Sequence, residues 1–318
     1  MHKLFLVLTI VCAAAVGCET SSDGTGGTGG QGGQGGAGGT GTACNTPQEV
    51  LRCNKVLNIA HRGGRDIRPE HTIVAYDQAL VDGADVLELD VHETSDGVLV
   101  VMHDDAVDRT TDCTGPIKEM TFAALRECDA GYEFTTDGGA TYPFRDMGLV
   151  VPSLEEVFDR YPDAPFVIEI KQEAPSIVDH FVEVVREYGV EDRMIGAAFD
   201  DAVLLELRAA APEIATSLGE SETTVFYLLS RDVLDPSYEP PGEFLQVPPT
   251  YNLEGVPVDV LHDGFVPRAH ELDMFVHIWT INDEQEMRDL IELEGVDGII
   301  TDDPPLLTSV IEDLGAGD

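Results

Sequence analysis

The chain has 318 residues, 43% of them hydrophobic, and 60 acidic against 18 basic side chains give it a formal net charge of -42. Such an excess of carboxylates argues against nucleic acid and anionic membrane surfaces as partners, because both repel it. One large core is within reach of this length, and a single α/β barrel takes about 250 residues, which leaves the N-terminus to account for the remainder.

Lys3 opens onto the apolar stretch LFLVLTIVCAAAV, which reads as a secretory signal over residues 1–17 and is too short to span a bilayer. AVGC, ending at Cys18, resembles a bacterial lipoprotein cleavage box in which the cysteine is lipidated. Ala15 stands where leucine is usual, and an ordinary signal peptide cut nearby is the alternative. Glu19 to Thr42 is almost wholly Gly, Ser and Thr, so residues 18–43 read as a flexible tether that cannot bury a core. The expected product is exported, periplasmic or at the cell surface, and meets a membrane only through its lipid anchor. The folded domain is expected over residues 44–318. Cys44, Cys53, Cys113 and Cys128 would oxidise in an exported chain; three pairings are open, and short loops favour Cys44 with Cys53 and Cys113 with Cys128. No Cys or Cys/His spacing suggests zinc.

From Val56 onward short apolar runs alternate with helical stretches, the pattern of βα units around a parallel sheet. Eight runs read as strands: VLNIA, DVLELDV, FVIEIK, RMIGAAF, ATSLGES, FLQVPP, FVHIWTI and VDGIITD. VLVVMHDD follows the second as a hairpin-like return. Helices are expected from Thr72 to Asp82 before Gly83, over SLEEVFDRY after Pro152, and from Ser176 to a stop at Gly189. Eight parallel strands with intervening helices predict a closed (β/α)8 TIM barrel, with an irregular insertion at about 104–150 after the second strand.

Two charged pairs end apolar, β-branched runs: Glu88 with Asp90 in VLELDVHE, and Glu169 with Lys171 in FVIEIK. Residues two apart on a strand point the same way, and a buried charge must find a counter-charge, a metal or a ligand. Three carboxylates and a lysine therefore suggest a metal site facing an anion. Oxygen-only ligands select Ca²⁺, Mg²⁺ or Mn²⁺ over zinc or copper; one divalent cation is expected, with Ca²⁺ favoured outside the cytoplasm and Mg²⁺ the alternative. KVLNIA delivers His61 and Arg62 to one strand end, and VLVVMHDD delivers His103 to another. Two histidines able to move protons near neutral pH, set beside three carboxylates and two cations, fit metal-assisted phosphoester cleavage.

At this point the chain resembles the glycerophosphodiester phosphodiesterases, from about Asn58 to the end. The matching pieces, in family order, are NIAHRGG with PEHT, ELDVHETSDGVLVVMHDD, DRTTDCTG, VPSLEEVF, IEIK, WTIND and DGIITDDP. The resemblance implies that Glu88, Asp90 and Glu169 hold the cation, that Arg62 and Lys171 hold phosphate, and that His61 and His103 form the acid and base pair. Which histidine plays which part stays open. The nucleophile is either the neighbouring glycerol hydroxyl, which the family favours, or water. Trp279 reads equally as ligand contact or core filler, and Asp302 equally as turn cap or ligand contact. Glu70 is suited to orient His61 or Arg62, or to satisfy helix N-terminal amides. His92, His180, His262, His270 and His277 receive no role.

Two positions depart from the family pattern. His71 stands where asparagine is usual, which would alter how His61 is held, and Ala197 to Phe199 lacks the usual serine. The implied substrates are glycerophosphodiesters, cleaved to glycerol phosphate and an alcohol. Phospholipase D-like action on lysophospholipid or sphingomyelin is the enzymatic alternative, against which the polar insertion counts. A non-catalytic lipoprotein that binds phosphorylated ligands is the reading from another class.

Overall fold

The computed structural model describes residues 46–231, 237–253 and 255–317. The signal segment, Cys18, the tether and Cys44 lie outside the described residues. In chain order the strands are β1 (Leu57–Ala60), β2 (Val86–Glu93), β3 (Leu99–Val101), β4 (Phe166–Ile170), β5 (Met194–Ala197), β6 (Ala215–Thr216), β7 (Phe244–Val247), β8 (Thr250–Leu253), β9 (Val256–Asp259), β10 (Phe275–Ile278) and β11 (Gly298–Thr301).

The main sheet runs β6-β5-β4-β2-β1-β11-β10-β7, with every neighbouring pair parallel. A parallel bridge from Ser217 to Phe244 brings its two ends together, with Leu218 N donating to Phe244 O at 2.9 Å and Glu243 N to Thr216 O at 3.0 Å. The eight expected strands are thus the eight staves of a TIM barrel. β3 folds back antiparallel on β2, Val101 opposite Val91, as the hairpin-like return predicts.

Alternation decides which side chains line the barrel. Leu57, Ile59, Val86, Val167, Ile195, Ala197, Ala215, Phe244 and Ile300 form one interior cluster. Their neighbours Leu87, Leu89, Phe166 and Ile168 face outward onto helix residues Tyr76, Phe158, Phe181 and Leu207. Leu51 and Cys53 join the interior cluster, and Arg52 pairs with Glu243 just before β7, so the segment after the short helix Pro47–Val50 covers the amino ends of the strands. The opposite end, where charged residues follow the apolar runs, stays polar.

The helix over Ile73–Val81 is capped by Thr72, whose Oγ1 accepts from Ala75 N. Ser153 and Glu156 form a reciprocal capping box on Leu154–Arg160, satisfying two amides that a helix start otherwise leaves unpaired. The third predicted helix runs Val178–Tyr188 and ends at Gly189 in the left-handed conformation. It begins two residues later than expected, because the Ser176 hydroxyl binds Glu206 and accepts from Val178 N ahead of the first turn.

Three boundaries or elements differ from expectation. β6 is only two residues long, since the chain turns at Leu218 and Gly219 into the helix Glu220–Ser230. After β7 the chain forms an antiparallel hairpin, Thr250 opposite Asp259, over a stretch to which the sequence reading assigned no element. Gly255, at φ 90°, supplies the left-handed backbone that a tight turn favours. The insertion is not shapeless: Val100, Met102, Val107, Ile117, Leu125 and Ala130 give it a small core, and Cys113 is bonded to Cys128. Cys53 is disulfide-bonded as well; Cys44, its expected partner, lies outside the described residues.

Candidate active site

Glu88, Asp90 and Glu169 occupy the interior face of neighbouring strands, with Asp90 directly opposite Glu169 in register. Each offers one carboxylate oxygen to a group whose members lie within 4.8 Å of one another. Burial, then the Asp90 charge, pushes the Glu88 carboxyl well up, and the same two causes push Glu169 up to about 7. Burial works against Asp90 too, but the His71 hydrogen bond and the nearby cations hold it below the usual carboxylate range. Three carboxylates crowded in this way repel one another until a cation joins them.

Lys171 Nζ sits 2.8 Å from Glu169 Oε2 and 3.2 Å from Asp90 Oδ1. The second approach is not aligned as a hydrogen bond, and Asp90 Oδ1 is a buried oxygen with no donor. An all-oxygen donor set that contains such an orphan fits a hard divalent cation. Although burial opposes its charge, Asp90 and Glu169 hold the Lys171 ammonium above its usual range.

Beyond β1 the chain turns tightly through His61–Gly63. Arg62 adopts φ 53° and Gly63 and Gly64 adopt 82° and 92°. A Cβ on Gly63 would lie 2.8 Å from the Ala75 Cβ, so both space and backbone require glycine there. The turn drives Arg62 N onto Glu88 Oε2 at 2.7 Å and buries the guanidinium, whose Nη1 meets Glu70 Oε1 at 3.0 Å.

His61 Nδ1 contacts Asp302 Oδ1 at 2.5 Å, while Arg62 Nε donates to His61 Nε2 at 3.2 Å. Donor counting then fixes the tautomer: Nδ1 carries the hydrogen and Nε2 presents a lone pair. Asp302 Oδ2 accepts from Asn282 Nδ2 at 2.9 Å, and Asn282 Oδ1 accepts from Asp302 N at 2.9 Å. Asp302 therefore orients His61; the helix cap is its neighbour Asp303, which accepts from Leu306 N. Burial works against the Asp302 charge, but the His61 hydrogen bond holds its carboxyl below the usual range.

His103 Nδ1 meets Asp104 Oδ1 at 2.7 Å. A ladder of alternating charge leads from there to Arg62: Arg109 Nε binds Asp104 Oδ2 at 2.6 Å, and its two Nη atoms bind both oxygens of Glu70 at 2.8 and 2.7 Å. Glu70 thus serves Arg62, one of its expected partners, and the insertion contributes Arg109 to the site. His92, given no role from sequence, is buried with Nε2 at 3.2 Å from the His103 carbonyl, tying β2 to the loop that bears His103. The other unassigned histidines are packing or surface groups, paired with Glu93 (His180), Ser230 (His262) and Asp297 (His270), or buried beside Gln246 (His277).

His71 does not touch His61 as expected. Its Nε2 meets Asp90 Oδ2 at 2.8 Å and its Nδ1 meets the Tyr76 hydroxyl at 2.7 Å. The backbone at 71 is left-handed, φ 56°, a region that asparagine and histidine enter more readily than most residues, which explains how histidine replaces asparagine here. At the mouth, the Trp279 and Phe199 rings meet edge to face at 5.8 Å, and Lys171 Nζ lies 5.6 Å from the Phe199 centroid. Phe199 is half exposed and fills the place beside the missing serine.

Sequence reasoning brought His61, Arg62, Glu70, Glu88, Asp90, His103, Glu169, Lys171 and Trp279 to one barrel end, and the structure places them there. It missed Asp104, Arg109, Asn282, His92, Tyr76 and Phe199, and left Asp302 undecided. A signal existed for Asp302, which continues the inward alternation of Gly298 and Ile300. Arg109 has no local signal, since its partners lie 5 and 39 residues away.

A closed parallel barrel with acidic, cationic and imidazole groups converging at the carboxyl ends of its strands defines a TIM-barrel hydrolase of phosphoric diesters. Residues 61–306 match the glycerophosphoryl diester phosphodiesterase family, and the chain belongs to that family. A glycerophosphodiester phosphodiesterase of Caldanaerobacter subterraneus subsp. tengcongensis is 32% identical over 272 residues, covering 82% of this chain and 100% of the relative. A putative glycerophosphoryl diester phosphodiesterase of Silicibacter pomeroyi is similar in structure, with a TM-score of 0.67, 27% identity and coverage of 86% and 99% of the two chains. The fold also matches an Oleispira antarctica phosphodiesterase solved with its product sn-glycerol-3-phosphate, with a TM-score of 0.61, 24% identity and coverage of 80% and 96%.

Proposed function

We propose that the protein hydrolyses glycerophosphodiesters to sn-glycerol 3-phosphate and an alcohol in a metal-dependent reaction. The observation that carries this reading is the cluster of Glu88, Asp90 and Glu169 flanked by Arg62 and Lys171, in which the buried Asp90 Oδ1 faces the Lys171 ammonium at 3.2 Å but accepts no hydrogen bond. These three carboxylates would hold one divalent cation, Ca²⁺ in preference to Mg²⁺. Bound there, the cation supplies positive charge to a phosphate oxygen as negative charge builds on the phosphoryl group.

The remaining work falls to the chain itself. Arg62 and Lys171 bind the other phosphate oxygens and fix the phosphorus against His61. His61, held by Asp302 with Nε2 as the acceptor, removes a proton from the attacking hydroxyl. His103, held by Asp104, gives a proton to the departing alcohol. The Arg62 donation to His61 Nε2 favours the base role there; His103 must also carry a hydrogen on Nε2 to act as the acid, and with it a positive charge that burial opposes and that Asp90 and Asp104 favour. The attacking group is the adjacent glycerol hydroxyl, which proximity favours, or water. Trp279 and Phe199 form an apolar wall for the carbon skeleton of the substrate.

We also place the enzyme outside the cytoplasm, anchored through lipid on Cys18. The bonded Cys113 and Cys128 support this, since disulfides persist in oxidising compartments.

The test is release of glycerol phosphate from glycerophosphocholine by the compact unit Thr42–Asp318. Release should stop with chelator, return with added Ca²⁺ or Mg²⁺, and vanish in His61→Ala. Activity that survives thorough chelation would refute the metal reading; hydrolysis of lysophospholipid alone would replace the substrate class.

A further inference from the structure

Asp90 is the most heavily bonded carboxylate of the cluster, and its two oxygens are treated differently. Oδ2 receives the His71 ring at 2.8 Å, with Arg62 Nε at 3.6 Å. Oδ1 is buried and accepts no hydrogen bond, with the Lys171 ammonium 3.2 Å away as its one charged neighbour among the ion pairs of the described residues. The His71 ring in turn abuts the Tyr76 hydroxyl at 2.7 Å, and Tyr76 is fully buried on the helix that follows the PEHT turn.

Only one proton arrangement suits a neutral ring in this chain of contacts. An ionised carboxylate only accepts, so Nε2 of His71 carries a hydrogen and Nδ1 accepts. The Tyr76 hydroxyl must then donate to Nδ1, and its oxygen sits 3.5 Å from the Glu88 carbonyl. The ring is clamped at both nitrogens, in a backbone conformation that few residues adopt.

We propose that Tyr76 and His71 form a positioning relay that fixes the Asp90 carboxylate, with Oδ2 engaged and Oδ1 turned to receive the divalent cation. The relay rests on the reading of Glu88, Asp90 and Glu169 as cation ligands. His71 and Tyr76 touch neither cation nor substrate; they act through Asp90, as outer hydrogen bonds do when they orient a ligand and strengthen its hold on a metal.

The experiment is calorimetric titration of CaCl2 and MgCl2 into metal-stripped protein without substrate, for the wild type, Tyr76→Phe, His71→Ala and the double variant. Circular dichroism melting establishes that each is folded. Tyr76→Phe removes one oxygen and keeps the packed ring, so it remains informative if His71→Ala unfolds. Loss of such an outer partner weakens cation binding by about 10- to 100-fold, and that range is expected for His71→Ala, with a smaller loss for Tyr76→Phe. Because Tyr76 acts through His71, the double variant should bind no more weakly than His71→Ala.

Unchanged cation affinity in folded Tyr76→Phe and His71→Ala would overturn the relay and leave the cation site standing. Additive losses would overturn it too, by showing that Tyr76 acts through the β2 backbone. A wild type that binds neither cation yet cleaves substrate would overturn the cation site and the relay with it.

Discussion

Asp302→Asn tests whether His61 depends on a fixed tautomer. Asp302 Oδ2 accepts from Asn282 Nδ2 at 2.9 Å, while Oδ1 faces His61 Nδ1 at 2.5 Å. The replacement amide has one oxygen and one nitrogen to place. Asn282 is fixed by the Asp302 backbone N–H, to which its own oxygen is bonded, so its amide group must keep donating. The new oxygen therefore faces Asn282, and the new NH2 faces His61 Nδ1, displacing the partly exposed Arg65 side chain, whose Nε lies 3.2 Å from Asp302 Oδ1 in the wild type. His61 can then only accept at Nδ1, and its hydrogen moves to Nε2, where it confronts the Arg62 Nε–H now 3.2 Å away. The Nε2 lone pair, which in the wild type accepts from Arg62 Nε, is lost.

An inversion of this kind in a serine protease triad lowers kcat about 10⁴-fold, which corresponds to about 5 kcal/mol. A loss of 10³- to 10⁴-fold is the order of magnitude expected here. Stability should change by only about 1 kcal/mol, because most hydrogen bonds are re-formed, which for a unit of this length moves Tm by about 2 °C. Steady-state release of glycerol phosphate, beside a thermal melt, reads both quantities. A kcat within tenfold of wild type, with Tm unchanged, would refute the tautomer reasoning.

Arg109→Met removes the centre of the ladder between Asp104 and Glu70; since Arg109 is partly exposed and its pairs are screened, kcat should fall about tenfold, or roughly 1.4 kcal/mol. Michaelis kinetics showing an unchanged kcat would sink that role. The Cys113→Ser/Cys128→Ser pair opens a loop with a sequence separation of 15, so urea denaturation should show a loss of about 3 kcal/mol, and no change in midpoint would contradict it. His277 is fully buried, and burial pushes its pKa down to about 4. The unfolded chain protonates this group at a higher pH than the folded one, so stability falls as pH drops from about 6.5 to 4, by at most about 3 kcal/mol. Urea midpoints at pH 4.5 and pH 7 should converge in His277→Gln, and an unaltered gap would assign the acid sensitivity elsewhere.

Legibility from sequence followed the range of the interactions. The barrel strands could be read because a buried parallel strand needs a continuous apolar run, and the two-residue alternation within it put Glu88 with Asp90 and Glu169 with Lys171 on one face. The hairpin over β8 and β9 was missed, although TYNL and VPVD flank a Glu-Gly pair suited to a turn. Its strands pair with each other outside the barrel, so they interrupt the βα rhythm on which the reading rested.

The sequence by itself determined the barrel and the gathering of Glu88, Asp90, Glu169, His61 and His103 at one end, since backbone periodicity dictates which side chains point inward at a strand's close. Only the tertiary structure decided who holds whom. Asp302 reaches His61 across 241 residues, His71 turns to Asp90 rather than His61, and Arg109 spans from the insertion to Glu70. Hydrogen-bond partners are chosen by distances of about 3 Å and by donor direction, quantities that exist only once distant segments have been brought together.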